Sequence, residues 1–295
     1  MTAQIISGSE IAKQIREELK QEIAELKERH NIVPGLVTIL VGADPASQIY
    51  VGGKEKTAKE LGIYSERYDL PGDTDESILL ALIDRLNKDT KINGILVQLP
   101  LPKHVNENNI IMAIDPKKDV DGFHPVNVGK IMIGEPDYLP CTPHGIQELI
   151  IRSGVKTDGA DVVVIGRSNI VGKPIANILL QKKEGANATV TVCHTGTRDM
   201  ASHTRRADIL IVALGKPKAI TSDMVKEGVV VIDVGVNEVG RTAEGKRILV
   251  GDVDFDAIKG KAKAITPVPG GVGPMTIVML MSNTVKAARL AAGLV

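Results

Sequence analysis

The sequence predicts an α/β protein of two domains, each built on a mostly parallel sheet covered by helices. Three observations carry that expectation. The chain has 295 residues, and at roughly 150 residues per domain it has room for two separate cores. Apolar runs of strand length alternate with amphipathic helical segments, the pattern of strand–helix–strand units. One such run, 161–165, passes through a glycine straight into a helical segment, as parallel connections do.

Taken in order, Ile11, Ile15, Leu19, Ile23 and Leu26 recur at helical spacing and predict a helix over 9–30, ended by Pro34-Gly35. The run 36–41 reads as a buried strand, 42–45 as a turn and 47–61 as a helix. A strand over 64–70, a helix over 75–87 and a strand over 94–99 repeat the step. From 115 to 141 the periodicity disappears, and a loop of that length is expected to be functional or inter-domain. Thr142 and Pro143 are suited to the N-cap and first turn of a helix running to about 153. Strands at 161–165, 189–194, 208–213, 229–234 and 262–265 form the second series, and Met275, Val278, Met279 and Val285 mark a last helix over 274–292. That helix is expected to return to the first domain.

Composition narrows the function. Lys plus Arg number 36 and Asp plus Glu number 36, so no global field draws the chain to a polyanion. Four Tyr, two Phe and no Trp leave few platforms for unpaired bases, which also argues against nucleic acid. No apolar stretch approaches the roughly 18 residues of a membrane span, and the start MTAQIISGSE lacks the regions of a secretion signal. Cys141 and Cys193 have no C-x-x-C spacing, so neither a disulfide framework nor a metal site is expected and a cytoplasmic location fits.

The strand 161–165 is followed by Gly166-Arg167-Ser168-Asn169-Ile170-Val171-Gly172-Lys173-Pro174. A helix N-terminus after a glycine turn exposes N–H groups that suit a pyrophosphate, although Ser168 stands where the usual fingerprint has its second glycine. A plain strand-to-helix turn is the alternative. The next strand ends at His194-Thr195-Gly196-Thr197-Arg198, with no Asp or Glu for a ribose 2′-hydroxyl. With Arg167, this favours NADP over NAD. Tyr50 and Lys54 share a helix face, either as a functional pair or as a core-edge aromatic beside a solvated lysine. Gln98 closes a strand where open α/β sheets place ligands, and Asp119 and Asp121 either serve a site or cap turns. The run Thr266 to Thr276, rich in Pro and Gly, is open between ligand contact and hinge.

Together these segments resemble the bifunctional methylenetetrahydrofolate dehydrogenase/methenyltetrahydrofolate cyclohydrolase family. The carrying stretches are Ser47 to Val51 with Lys54 and Lys56, Val97 to Pro102, Lys118 to Gly122, Pro140 to Pro143, Gly166 to Pro174, Asp233 to Asn237 and Pro269 to Thr276, in the family's order. The resemblance implies a catalytic, folate-binding domain over 1–140 completed by a helix over 274–295, and a Rossmann-like NADP-binding domain over 141–273. It implies a homodimer and oxidation of 5,10-methylenetetrahydrofolate, bound between the domains, followed by hydrolysis to 10-formyltetrahydrofolate. By the same resemblance Lys54 assists hydrolysis, Gln98 positions it, Tyr50 packs on the folate rings and Asp121 receives the pterin N–H edge. Leu99, Pro269, Gly270, Gly273 and Ile277 match folate contacts, and Gly166, Arg167, Ser168, Gly172, His194, Thr195 and Ile232 match cofactor contacts. Thr195 stands where the family often has Ser. A protein that binds NADP without turnover is the competing class, and each proposed catalytic position here holds a competent side chain.

Overall fold

The computed structural model describes residues 3–294; Met1, Thr2 and Val295, the outer ends of the expected ranges 1–140 and 274–295, lie outside the described residues. The chain divides into two compact units, one of Gln14–Cys141 with the segment from Ile277 onward, the other of Thr142–Thr276 with the N-terminal residues through Lys13.

The first half opens with β1 (Gln4–Ile5) and α1 (Gly8–His30), whose Ile11, Ile15, Leu19, Ile23 and Leu26 are all buried, as their spacing requires. β2 (Gly35–Val41) is buried at every residue and leads to α2 (Pro45–Leu61). Asp44 caps that helix by accepting the Ser47 N–H at 2.7 Å, Pro45 fills the first turn, and Gly62 ends it. β3 (Tyr64–Leu70), α3 (Glu76–Lys88), capped by Asp75, and β4 (Gly94–Val97) follow. The sheet order is β3-β2-β4, all parallel, with Val37, Ile39, Ile83 and Ile95 in its core. This is the three-stranded unit.

Two short helices, α4 (Glu107–Ala113) and α5 (Pro125–Ile133), escape the periodicity reading. The second corrects the expectation of an unbroken loop over 115–141. Of α5 only Asn127 and Ile131 are buried while Met132 and Ile133 are exposed, so no apolar stripe marks the helix. His124 accepts the Val126 N–H at 3.1 Å to cap it. Another correction concerns α6 (Cys141–Arg152): Thr142 is inside the helix, and its hydroxyl pairs with that of Thr276 at 2.9 Å instead of capping.

The six-stranded unit contains β5 (Asp161–Ile165), α7 (Gly172–Leu179), β6 (Thr189–Cys193), α8 (Met200–Thr204), β7 (Ile209–Val212), β8 (Val230–Asp233), β9 (Asn237–Arg241), β10 (Arg247–Val250), α9 (Phe255–Lys259) and β11 (Ala264–Ile265). Its sheet runs β1-β11-β8-β7-β5-β6, parallel throughout, around Val163, Ile165, Leu210, Val212 and Val231. β1 thus joins the sheet of the second half. β9 and β10 pair antiparallel outside it, a hairpin the alternation pattern did not announce because its residues are mostly exposed. α10 (Val272–Ala291) closes the chain.

Candidate active site

In the three-stranded unit, α2 leaves the carboxyl end of β2, and Tyr50 and Lys54 project from it one turn apart. Tyr50 is 40% exposed, while Lys54 is only 7% exposed. A buried ammonium needs a polar partner. Lys54 Nζ donates to Gln98 Oε1 at 2.9 Å, which excludes the solvated-lysine alternative. Gln98 lies just beyond β4, where its N–H donates to the Ile39 carbonyl at 2.9 Å and prolongs the ladder by one bond. Its Nε2 donates to the Leu99 carbonyl at 2.7 Å.

The two aspartates of the following segment divide their work. Asp119 is buried and accepts the N–H groups of Phe123 and His124, at 3.3 and 2.8 Å, and the Asn127 side chain at 2.8 Å. It builds the turn into α5, as the capping alternative proposed. Asp121 is left within electrostatic reach of Lys54. Burial pushes its carboxyl above the ordinary range, the Lys54 charge pulls it down, and Asp119 adds to the rise. Cys141, buried beside it, donates to the Val120 carbonyl at 3.4 Å, and burial together with the Asp121 charge pushes that thiol up.

Sequence reasoning missed Asn283. From α10 its amide donates to the carbonyls of Val120 at 2.8 Å and Leu139 at 2.9 Å, pinning the segment that carries Asp121. The available signal was a polar residue amid the apolar run of the last helix, since a buried amide must find partners. Ile277, also on α10, packs against α2: a Cβ at Gly53 would sit 3.4 Å from its Cδ1.

In the six-stranded unit, β6 lies to one side of β5 and β7 to the other, so the order of the sheet reverses at β5. Open α/β sheets take ligands at such a point. Gly166 stands there, its N–H donating to the Cys193 carbonyl at 2.8 Å. Its φ of +123° suits glycine, and a Cβ would fall 2.3 Å from the Ala213 carbonyl oxygen. Ser168 Oγ accepts the N–H groups of Val171 at 3.1 Å and Gly172 at 3.4 Å, and so orders the entry to α7. Arg167 is exposed, with Nη1 3.4 Å from His194 Nε2. His194 Nδ1 accepts the Gly196 N–H at 3.1 Å, forming a turn on which Thr195 is exposed. Ile232 is fully buried in β8, opposite Ile211. A glycine-walled turn with a guanidinium beside it, and no acid from 194 to 198, fits a dinucleotide carrying an extra phosphate.

The Pro- and Gly-rich run is also ordered. Thr266 Oγ1 accepts the Asp233 N–H at 2.8 Å, and the Gly270 carbonyl accepts the Ser9 N–H at 3.0 Å. Pro269 is exposed there, and Gly273 is half-buried in the first turn of α10. Among the described residues no cluster of His, Cys, Asp and Glu is arranged to hold a metal ion.

Residues 6–121 match the catalytic domain of tetrahydrofolate dehydrogenase/cyclohydrolase, and residues 140–292 match the NAD(P)-binding domain of the same family. The chain belongs to the tetrahydrofolate dehydrogenase/cyclohydrolase family. A member from Syntrophus aciditrophicus, bifunctional protein FolD, is 71% identical over 294 residues and all of both chains. Among solved members of this dehydrogenase/cyclohydrolase family, the bifunctional enzyme FolD of Campylobacter jejuni superposes with a TM-score of 0.91 at 49% identity, covering 98% of this chain and 99% of the other. The Trypanosoma brucei enzyme, complexed with NADP cofactor and inhibitor, gives 0.94 at 39% identity over 99% of each chain. In this dehydrogenase/cyclohydrolase frame, the Lys54, Gln98 and Asp121 cluster belongs to the part matching the catalytic domain, and the glycine turn to the part matching the NAD(P)-binding domain.

Proposed function

We propose that Lys54, Gln98, Asp121 and Tyr50 are the working side chains of a bifunctional enzyme of folate one-carbon metabolism. The enzyme oxidises 5,10-methylenetetrahydrofolate to the 5,10-methenyl cation with NADP and hydrolyses that cation to 10-formyltetrahydrofolate. The observation that carries the residue assignment is the buried Lys54 ammonium held on Gln98 at 2.9 Å with Asp121 in electrostatic reach.

NADP, when bound, supplies the acceptor for the hydride that leaves the methylene bridge. No base is needed in that step, so the chain's task is to hold the folate in a reactive pose. Asp121 accepts hydrogen bonds from the pterin N–H edge, and Tyr50, left exposed on the same helix face as Lys54, packs on the folate's flat rings. Leu99, Pro269, Gly270, Gly273 and Ile277 contribute further folate contacts. Hydrolysis adds water to the cationic carbon, releases one proton, and opens one carbon–nitrogen bond. Lys54 Nζ spends one N–H on Gln98 and keeps the others for that water and for the proton that moves as the bond opens. Gly166, Ser168 and Gly172 receive the pyrophosphate, Arg167, His194 and Thr195 the 2′-phosphate, and Ile232 borders the cofactor from β8.

The reading further includes a homodimer, which the family resemblance alone supports, and a cytoplasmic location, supported by two unpaired, buried cysteines. No described helix is long and apolar enough to cross a membrane. The deciding experiment mixes the protein with methylenetetrahydrofolate and NADP and follows both steps by absorbance. NADPH formation with catalysed loss of the methenyl band is expected; methenyl decay at the uncatalysed rate would remove the hydrolytic half.

A further inference from the structure

Asp233, the last residue of β8, and Asp252 form a second pair of carboxylates that the chemistry above does not use. Both are buried, Asp252 completely. Asp252 Oδ2 accepts the N–H groups of Leu214 at 2.6 Å and Gly215 at 2.8 Å. Its Oδ1 accepts the Lys216 N–H and the Asn237 side-chain amide, each at 2.9 Å. Three consecutive backbone donors on one carboxylate make a turn of fixed shape, much as a bound anion would. Asp233 holds Asp252 in turn, accepting the N–H groups of Asp252 at 3.0 Å and Val253 at 2.9 Å.

The location of that turn gives it a role. It starts one residue past Ala213, whose carbonyl is the wall against which Gly166 packs, and Ala213 N–H donates to the Ile165 carbonyl at 2.8 Å. The carboxyl ends of β5 and β7 therefore meet at Gly166 on one side and lead into the Asp252-bound turn on the other. The approach is close enough to dictate sequence: a Cβ at Gly235 would lie 2.2 Å from Asp252 Cγ. A buried carboxylate with four donors costs desolvation that its hydrogen bonds must offset, which is a high stake for a surface turn with no further duty.

We propose that Asp252 is a positioning residue for cofactor use, fixing the turn Leu214–Lys216 as one rim of the dinucleotide site through its three backbone hydrogen bonds. The inference rests on placing NADP at the Gly166 turn. Asp252→Asn keeps the shape but turns one acceptor into a donor facing N–H groups. The expected result is a KM for NADP at least about tenfold higher, with hydrolysis of the methenyl substrate, which takes no cofactor, within twofold of the parent; a tenfold change corresponds to about 1.4 kcal/mol.

The double variant Asp252→Asn/Asn237→Asp restores the side-chain pair but leaves the Lys216 N–H without its acceptor, so it is expected to remain defective for NADP. Recovery would reduce Asp252 to a partner of Asn237 and overturn the proposal. Should Asp252→Asn fail to fold, Gly215→Ala strains the turn directly, because Gly215 has a φ of +67° and open space around it. It too is expected to raise the KM for NADP several-fold, and an unchanged KM sinks the idea. Gly166→Ala separates the two levels. If it abolishes NADP binding while the turn variants do not, only the role of Asp252 falls; if it also leaves NADP binding intact, the cofactor placement falls with it.

Discussion

Lys54 and Gln98 are joined by a hydrogen bond whose polarity is fixed from the far end. Because Gln98 Nε2 is engaged by the Leu99 carbonyl at 2.7 Å, it is Oε1 that faces the ammonium at 2.9 Å. The amide cannot turn over without losing both bonds. Its backbone is held as well, by the bond to Ile39 that extends β2–β4 pairing. Lys54 is thus aimed by a side chain that is itself part of the sheet, and one long flexible amine gains a defined position.

Lys54→Met tests what that aim achieves. Methionine keeps the unbranched stem and loses the charge, so packing around a nearly buried position is retained. Proton transfer by a placed group contributes on the order of 10²–10⁴ in rate. Methenyl hydrolysis is expected to fall by at least about 100-fold, while NADP affinity, measured by titration, stays at the parental value because the residues proposed for the cofactor belong to the other unit. Retained hydrolysis would withdraw the assignment.

Asp121→Asn should act on folate binding more than on cofactor binding. Hydrogen bonds to a charged group are worth about 1.5–3 kcal/mol, so the KM for the methylene substrate is expected to rise roughly 10- to 100-fold. The pH dependence has a definite sign. Burial raises the Asp121 carboxyl and Lys54 lowers it, and the acceptor is lost as pH falls through its titration. In Lys54→Met the acid limb of folate affinity is therefore expected at higher pH than in the parent. An identical limb in both would mean that the two groups do not communicate.

On the proposed placement of the cofactor, the choice between NADP and NAD rests on Arg167 and on the absence of an acid beside it. With the guanidinium 3.4 Å from His194 and no Asp or Glu from 194 to 198, a 2′-phosphate proposed there would meet a cation and no carboxylate of that turn. Replacing Arg167 by Gln should lower kcat/KM for NADP by about tenfold and leave that for NAD nearly unchanged, consistent with one charge-assisted contact. Parallel loss with both cofactors would assign Arg167 to the pyrophosphate instead.

The parts of this arrangement legible in the sequence are those enforced by period or by special backbone. α1, β2 and β5 announced themselves because burial on one side, or on both, leaves an apolar pattern, and Gly166 because its conformation admits little else. α5 was hidden by exposed Met132 and Ile133, and the β9–β10 hairpin by its solvated residues. Tyr50 and Lys54 could be placed on one face from spacing alone, but the bond to Gln98 joins residues 44 positions apart. The partners of Asn283 and Asp252 were opaque for the same reason. Each of these side chains satisfies backbone groups distant in sequence, and no local pattern records which carbonyl or N–H a buried side chain will meet.

Asp233 offers a stability test independent of turnover. Burial pushes its carboxyl up to about 6 from an ordinary 3.8, against the N–H groups of Val253, Asp252 and Gly235, which favour the charged form. Between those two values the native state holds a proton that the unfolded chain has released. The contribution of this group is therefore complete below the lower value and is lost as pH rises through the upper one, with a slope no steeper than about 1.4 kcal/mol per pH unit. Other carboxylates titrate in the same window, so the informative quantity is a difference. In Asp233→Asn the side chain cannot ionise, and urea unfolding of parent and variant at matched pH cancels the common background. The stability of the parent relative to the variant is expected to decline from about pH 4 to about pH 6 and to level off above. A flat difference across that interval would show Asp233 ionised in the native state throughout, with its three backbone donors outweighing burial.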